Sequence, residues 1–247
     1  MNLSWLLPSG EGIPVLMYHK VWPGISDALT ITPEKLREQW QLLRSEGYQP
    51  LSLPAYLDIA TGSKQLAGKP ILLTFDDGYR NNLTYVYPLL KEFGWQATFF
   101  IITGTIDGAL GDEADEVEQK MNLDELKQLD PAIVQLAMHG YTHEDMSKIS
   151  LIEARKSLER SMQVFGSSSL QWHRVLAYPY GARPGKDFAA LRQVMAGIGI
   201  KAAFRIGNKV SEVPAKDVFE MKRIDIKGTD TLENFRVKLK KGKLKPF

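Results

Sequence analysis

Short apolar runs alternate with longer amphipathic stretches along this 247-residue chain. Apolar runs bounded by Gly, Pro or charge read as strands, and they fall at residues 14–18, 49–53, 71–75, 97–102, 134–138, 174–178 and 202–206. Between them, segments 33–45, 79–93, 123–129, 151–165 and 188–198 carry helical spacing. Thr32 followed by Pro33 is a helix start, with a capping hydroxyl and a proline whose missing N–H costs nothing in a first turn. Within 151–165, Leu151, Ala154, Leu158 and Met162 share one face, with charges between them. Alternating strands and helices predict a mainly parallel sheet, open or closed into a barrel. No repeat and no linker rich in Pro, Gly or Ser breaks the order, so one domain is expected.

Two segments depart from the alternation. Residues 104–121 are long, contain glycine and are acidic through Asp107, Asp112, Glu113, Asp115, Glu116 and Glu118. They read as a solvated surface insertion, or as a lid or rim of a cleft. The C-terminal part is basic, with Arg236, Lys238, Lys240, Lys241, Lys243 and Lys245. It reads as a solvated helix and frayed tail, or as a contact for an anionic polymer or membrane surface.

Composition adds mainly exclusions. The apolar and charged fractions are ordinary for a globular protein, which disfavours disorder. A net charge of +2 points to no particular partner, and no nucleic acid is expected. With no cysteine, thiolate metal sites, cysteine nucleophiles and disulfides drop out. No run reaches the roughly 18 apolar residues of a membrane span. The opening Met1-Asn2-Leu3-Ser4-Trp5-Leu6-Leu7-Pro8 lacks the basic start and apolar length of a signal peptide. A soluble protein is expected, cytoplasmic unless a leader has been removed.

The chemistry lies at strand ends. Leu16-Met17-Tyr18 runs into His19, and Leu73-Thr74-Phe75 into Asp76-Asp77-Gly78. Leu136-Ala137-Met138 runs into His139-Gly140-Tyr141-Thr142-His143, and Leu176-Ala177-Tyr178 into Pro179-Tyr180-Gly181. In parallel α/β folds these ends share one face, where active sites are built. Three of the four histidines take part, and His173 is read as structural. Charge at the end of a buried strand is costly unless a cation or donors await it.

Two imidazoles and a carboxylate leave open positions for water and substrate, which suits zinc, or iron, cobalt or nickel. A catalytic zinc brings the pKa of its bound water down to about 7. General acid or base help contributes about 10²–10⁴-fold, so loss of the metal is expected to be the most damaging change. Successive side chains on extended backbone point apart, so one aspartate can face the ion and its neighbour the attacking water.

The motifs Thr74-Phe75-Asp76-Asp77-Gly78 and His139-Gly140-Tyr141-Thr142-His143 resemble the first two signatures of the polysaccharide deacetylases, the NodB-homology domains of carbohydrate esterase family 4. Tyr178-Pro179-Tyr180-Gly181 resembles the third. Pro14-Val15-Leu16-Met17-Tyr18-His19 resembles the branch of biofilm poly-N-acetylglucosamine deacetylases, whose catalytic histidine comes from near the domain's N-terminus. The resemblance implies an N-terminal extension at 1–12, a deacetylase domain at 13–226 and a basic C-terminal helix and tail at 227–247. It implies a single-domain distorted (β/α) barrel with fewer than eight strands. It also implies metal-dependent removal of acetyl groups, N-acetyl above all, from an amino-sugar polysaccharide or glycoconjugate. Carried over, Asp76 is the general base, Asp77, His139 and His143 hold the divalent metal, and His19 is the general acid. The Tyr180 N–H then helps hold the oxyanion.

The chain also departs from the family pattern. Ala177 stands where many members have an arginine that orients the base, leaving Arg183, Arg205 or Arg223 as substitutes. No histidine follows His173, so the usual C-terminal acid is missing and His19 must take over. Trp22 and Trp172 either stack on sugar rings or pack in the core. A carbohydrate-binding protein on a decayed deacetylase scaffold is the alternative, and a non-haem iron oxygenase a third reading. A glycosidase is disfavoured, since its carboxylates flank one bond from about 5 Å or more apart.

Overall fold

The computed structural model describes residues 12–111 and 115–244. Most of the expected extension at 1–12, the acidic Asp112 and Glu113, and Lys245 of the basic tail lie outside these residues. Among the described residues, ten strands and seven α-helices keep most of the expected alternation, with the first three strands and the last two running on without a helix between them. They run β1 (Val15–Tyr18), β2 (Lys20–Val21), β3 (Thr30–Ile31), α1 (Pro33–Ser45), β4 (Tyr48–Pro50), α2 (Leu53–Ala60), β5 (Lys69–Phe75) and α3 (Tyr87–Phe93). Then come β6 (Ala97–Ile101), α4 (Leu123–Leu126), β7 (Val134–Met138), α5 (Leu151–Ser167) and β8 (Trp172–Ala177). The chain closes with α6 (Phe188–Gly197), β9 (Ala202–Ile206), β10 (Met221–Asp225) and α7 (Leu232–Lys241).

Seven parallel strands close a barrel in the order β1, β10, β9, β8, β7, β6, β5, with β5 returning to β1. Seven is fewer than eight, as the resemblance implies. The short β4 pairs with residues 69–71 of β5, below the point where β6 joins at Thr74. Strands β2 and β3 form a separate two-stranded pair just after His19.

Alternation along the strands builds two cores. Inward positions Val15, Leu72, Phe100, Ala137, Val175, Ala177, Ala202, Phe204 and Met221 fill the barrel. Leu53, Tyr56, Ile59 and Ala60 of α2 join that cluster, so this helix plugs the N-terminal mouth. Outward positions such as Leu16, Leu73, Phe99, Leu136 and Leu176 pack under the helices. Each fully buried Leu or Phe contributes about 1.5–3 kcal/mol from the area it removes from water.

Local signals set the helix ends. Thr32 Oγ1 accepts the Lys35 N–H to cap α1, whose Leu36, Trp40 and Leu43 face the core. Ser150 and Glu153 form a reciprocal capping box at the start of α5, and such a cap contributes about 1 kcal/mol.

Four expectations about local structure are corrected. Residues 49–53 are not one strand: β4 ends at Pro50, and Ser52 caps α2 with Pro54 in its first turn. Segment 79–93 is two pieces, a π-helical turn at Asn82–Val86 running into α3. Helix α4 is a single turn, shorter than 123–129. Strand β10, absent from the sequence reading, completes the barrel.

The basic C-terminal helix is partly a packing element. Phe235 and Leu239 of α7 are buried, and Lys238 is buried against Asp230. Trp172 stacks on Phe165 at 5.0 Å between centroids, on the core-packing side of its two readings.

Candidate functional site

Strand register places the first two groups. Tyr18 pairs with Phe75, and the Asp76 N–H donates to the Tyr18 carbonyl at 2.9 Å. His19 and Asp76 therefore leave neighbouring strands side by side at the C-terminal mouth. Asp76 is buried, and the His19 Nδ1 is buried with no hydrogen-bond partner. After Asp76 the backbone turns sharply, with Asp77 at φ 70° and Gly78 at φ 71°. The left-handed conformation is unusual for an aspartate, and it turns the Asp77 carboxylate towards β7. A Cβ on Gly78 would come within 3.1 Å of Ile101.

His139 and His143 meet Asp77 there. His139 Nδ1 lies 2.8 Å from the Ala177 carbonyl, and a carbonyl only accepts, so Nδ1 carries the proton and Nε2 presents its lone pair. The Nε2 atoms of His139 and His143 each lie 3.2 Å from the same oxygen, Asp77 Oδ1. That oxygen is buried and makes no hydrogen bond of good geometry. The three ligand atoms lie within 4.8 Å of one another. Lone pairs converging on an orphaned carboxylate oxygen satisfy one another through a shared cation, so the donor set fits a divalent metal. Ligand identity, two imidazoles and one carboxylate, suits zinc and its borderline neighbours without selecting among them.

Burial pushes the Asp77 carboxyl up, but the His139 and His143 imidazoles beside it outweigh that and hold the group well below the usual carboxylate range. Burial pushes the His139 imidazole down, and the Asp76 and Asp77 carboxylates more than reverse that.

Asp76 is held by an arginine from two strands away around the barrel. Arg223, on β10, is fully buried and grips Asp76 with both arms, NH1 to Oδ1 at 2.6 Å and NH2 to Oδ2 at 2.7 Å. Its guanidinium sits 5.3 Å from the Phe100 ring centroid, inside the barrel. Burial raises the Asp76 pKa, and Arg223, then His139, overcome this and lower it. Arg183 and Arg205, the other two candidates for this place, both pair with Glu220 instead. A buried ion pair of this kind gains little stability over apolar side chains of similar volume, so its presence argues for chemistry.

Tyr180 completes the ring of groups. The residue is 63% exposed, and its ring lies 4.4 Å from that of His143. It sits at φ 58° in a one-turn helix, Pro179–Gly181, where an early N–H has no partner within the helix. His173 lies back on β8, away from this face.

The sequence reading missed other groups. Buried Tyr79 follows the aspartate turn; burial, with the Asp77 and Glu118 carboxylates beside it, holds its phenol far above the ordinary value. Glu118 also pairs with buried Lys20, next to His19. The 104–121 segment is thereby fastened to the site: Met121 N–H donates to the Gly78 carbonyl at 2.8 Å and Asn81 Nδ2 to the Val117 carbonyl at 3.0 Å. Of its two readings, rim of a cleft fits the described part.

Comparisons with known proteins point the same way. Residues 63–203, more than half of the chain, match the family model described as polysaccharide deacetylase. Poly-β-1,6-N-acetyl-D-glucosamine N-deacetylase of Escherichia coli (strain K12) is 34% identical over 99 residues, 39% of this chain and 15% of that enzyme. YxkH of Bacillus subtilis (strain 168), a protein named for the same family, is 27% identical over 169 residues, 68% of this chain and 57% of its own. The chain thus spans little more than half of one curated relative and a small part of the other. A crystal structure of a polysaccharide deacetylase from Bacillus cereus aligns with a TM-score of 0.73 at 26% identity, over 93% of this chain and 69% of that one. With its barrel, its motifs and this match, the chain belongs to the polysaccharide deacetylase family.

Proposed function

We propose that the chain is a metal-dependent deacetylase that removes N-acetyl groups from an amino-sugar polymer or glycoconjugate. The observation that carries this reading is a buried Asp76 gripped by Arg223 directly beside the Asp77–His139–His143 cluster. Asp77, His139 and His143 would hold the cation. Bound there, a divalent metal supplies Lewis-acid chemistry, polarising an acetyl carbonyl and acidifying water.

The chain's own groups do the rest. Asp76, kept ionised by Arg223, takes a proton from the attacking water as its oxygen bonds to the acetyl carbon. The Tyr180 N–H donates to the carbonyl oxygen as negative charge builds on it. His19, beside Asp76, then gives a proton to the amine nitrogen as the carbon–nitrogen bond breaks. Acetate and the free amino sugar leave. Likeness to the E. coli enzyme, whose name specifies poly-β-1,6-N-acetyl-D-glucosamine, favours that class of polymer.

The missing arginine at Ala177 was the motive for a decayed, binding-only scaffold. Arg223 supplies that guanidinium from another strand, which removes the motive. The test is acetate release from β-1,6-linked N-acetylglucosamine oligomers and chitooligosaccharides, with chelated protein before and after zinc, cobalt or nickel is restored. Metal-restored release from the β-1,6-linked series is expected. Metal-loaded protein that binds these sugars and releases no acetate would favour the binding scaffold, and a requirement for an oxidant would favour the oxygenase.

A further inference from the structure

Two of the three proposed metal ligands sit on a loop without regular structure, residues 139–143. His139 is fixed at its start by β7 and the Ala177 carbonyl. His143, at its end, has no such anchor, and both Gly140 (φ 80°) and His143 (φ 64°) are left-handed. Something must hold that shape, because a ligand displaced by a fraction of an ångström no longer meets its partners.

Glu144, the next residue, reaches back into the loop. Its Oε2 accepts the backbone N–H groups of Tyr141 and Thr142, both at 3.2 Å, and the Ser157 hydroxyl at 2.8 Å. Its Oε1 accepts the Thr142 hydroxyl at 2.9 Å. Successive N–H groups converging on one anion, beside a left-handed residue, form a nest. The loop thus wraps a carboxylate that its own chain supplies. A Cβ on Gly140 would lie 3.1 Å from Glu144 Oε2 and 3.2 Å from Pro179, so the wrap is tight. Ser157, buried on α5, ties the assembly to the scaffold.

We propose that Glu144 is a positioning residue, whose carboxylate folds the 139–143 backbone so that the His143 imidazole faces Asp77 and His139 before any cation arrives. The proposal rests on the metal-centre reading above and adds a residue outside the motif that carried it. Groups that orient metal ligands typically change metal affinity about 10–100-fold when removed.

The test is zinc and cobalt affinity, measured by competition with a chromophoric chelator well below the melting temperature, together with the visible spectrum of the cobalt-loaded protein. Wild type, Glu144→Gln, Glu144→Ala and Ser157→Ala are compared. Both Glu144 variants are expected to lose affinity about 10–100-fold, with a changed cobalt band; Ser157→Ala shifts the same way by less. Glu144→Gln that melts cooperatively, binds both metals as wild type does and shows an unaltered cobalt spectrum would overturn the proposal. Should neither Glu144 variant fold, Ser157→Ala and Thr142→Val carry the test, and wild-type affinity in both rejects it. Wild type that binds metal but releases no acetate ends the deacetylase reading and leaves the Glu144 measurement intact. Wild type that binds no metal ends both.

Discussion

The two mouths of this barrel are built from the same alternating strands and end in opposite ways. At the N-terminal mouth, inward residues such as Val15, Leu72, Ala202 and Met221 meet the apolar side of α2, and Tyr56 is buried with its hydroxyl donating to Ser211 at 3.0 Å. At the C-terminal mouth, Asp76 and Arg223 are equally buried, with Asp77, His139 and His19 around them. Burial alone stabilises the first mouth. The second offers little net stability, because desolvating two charges consumes most of what their attraction returns. Stability and chemistry are therefore assigned to opposite ends of one ring of strands.

The most complete way to break the charged mouth is Asp77→Ala. Metal stoichiometry and acetate release are expected to vanish together, and a variant that keeps its metal would refute the ligand assignment. Asp76→Asn sharpens the contrast between neighbours: metal content should stay, while kcat falls about 10²–10⁴-fold.

Next in size is Arg223→Met. It leaves a buried carboxylate without its partner, which costs roughly 3–5 kcal/mol of unfolding free energy, read from denaturant melts at neutral pH. The double variant Arg223→Met with Asp76→Asn should regain much of that stability and none of the turnover. Near wild-type stability in the single variant would mean that Arg223 does not hold a charged Asp76.

At the closed mouth, Tyr56→Ala opens a cavity under the barrel and should cost about 3 kcal/mol, yet leave kcat unchanged at temperatures where the protein stays folded. A collapse of kcat in the folded variant would erase the division between the two ends.

The smallest expected effect is in acid. Asp76 has a lowered pKa in the folded protein, so its contribution to stability is present above the unfolded value of about 3.9 and is lost as pH falls through the folded one. Relative to Asp76→Asn, the wild type's stability should therefore decline as pH drops below about 4. A stability difference that stays constant with pH would show that pairing does not lower this carboxyl group's pKa.

How much of this was legible in the sequence depended on the signal each residue left. Apolar runs ending in His19, Asp76, His139 and Tyr180 were readable because a buried strand followed by polar groups is a contrast visible in a few residues. Strand β10 was not readable: Met221-Lys222-Arg223-Ile224-Asp225 alternates with charge, and an arginine at an inward position looks like surface until its partner is known. Nothing local distinguishes Arg223 from Arg183 or Arg205; only closure of the ring brings it to Asp76. Helix α2 was missed and its first residue, Leu53, read as strand, although Ser52 and Pro54 announce a helix start, because Leu51 and Leu53 continue the apolar run of β4. Glu144 escaped because two of its partners are backbone N–H groups, which carry no sequence signature, and Ser157 comes from another element.

Ring closure also has a consequence for how the protein is made. During synthesis, the strand that runs into Asp76 and the loop bearing His139 and His143 leave the ribosome before β10 does. Until Met221–Asp225 emerges and slots between β1 and β9, Asp76 lacks the guanidinium that keeps it charged. A nascent or truncated chain thus carries the motif without the ion pair that the proposed base needs, and the candidate site is complete only with the last strand of the barrel.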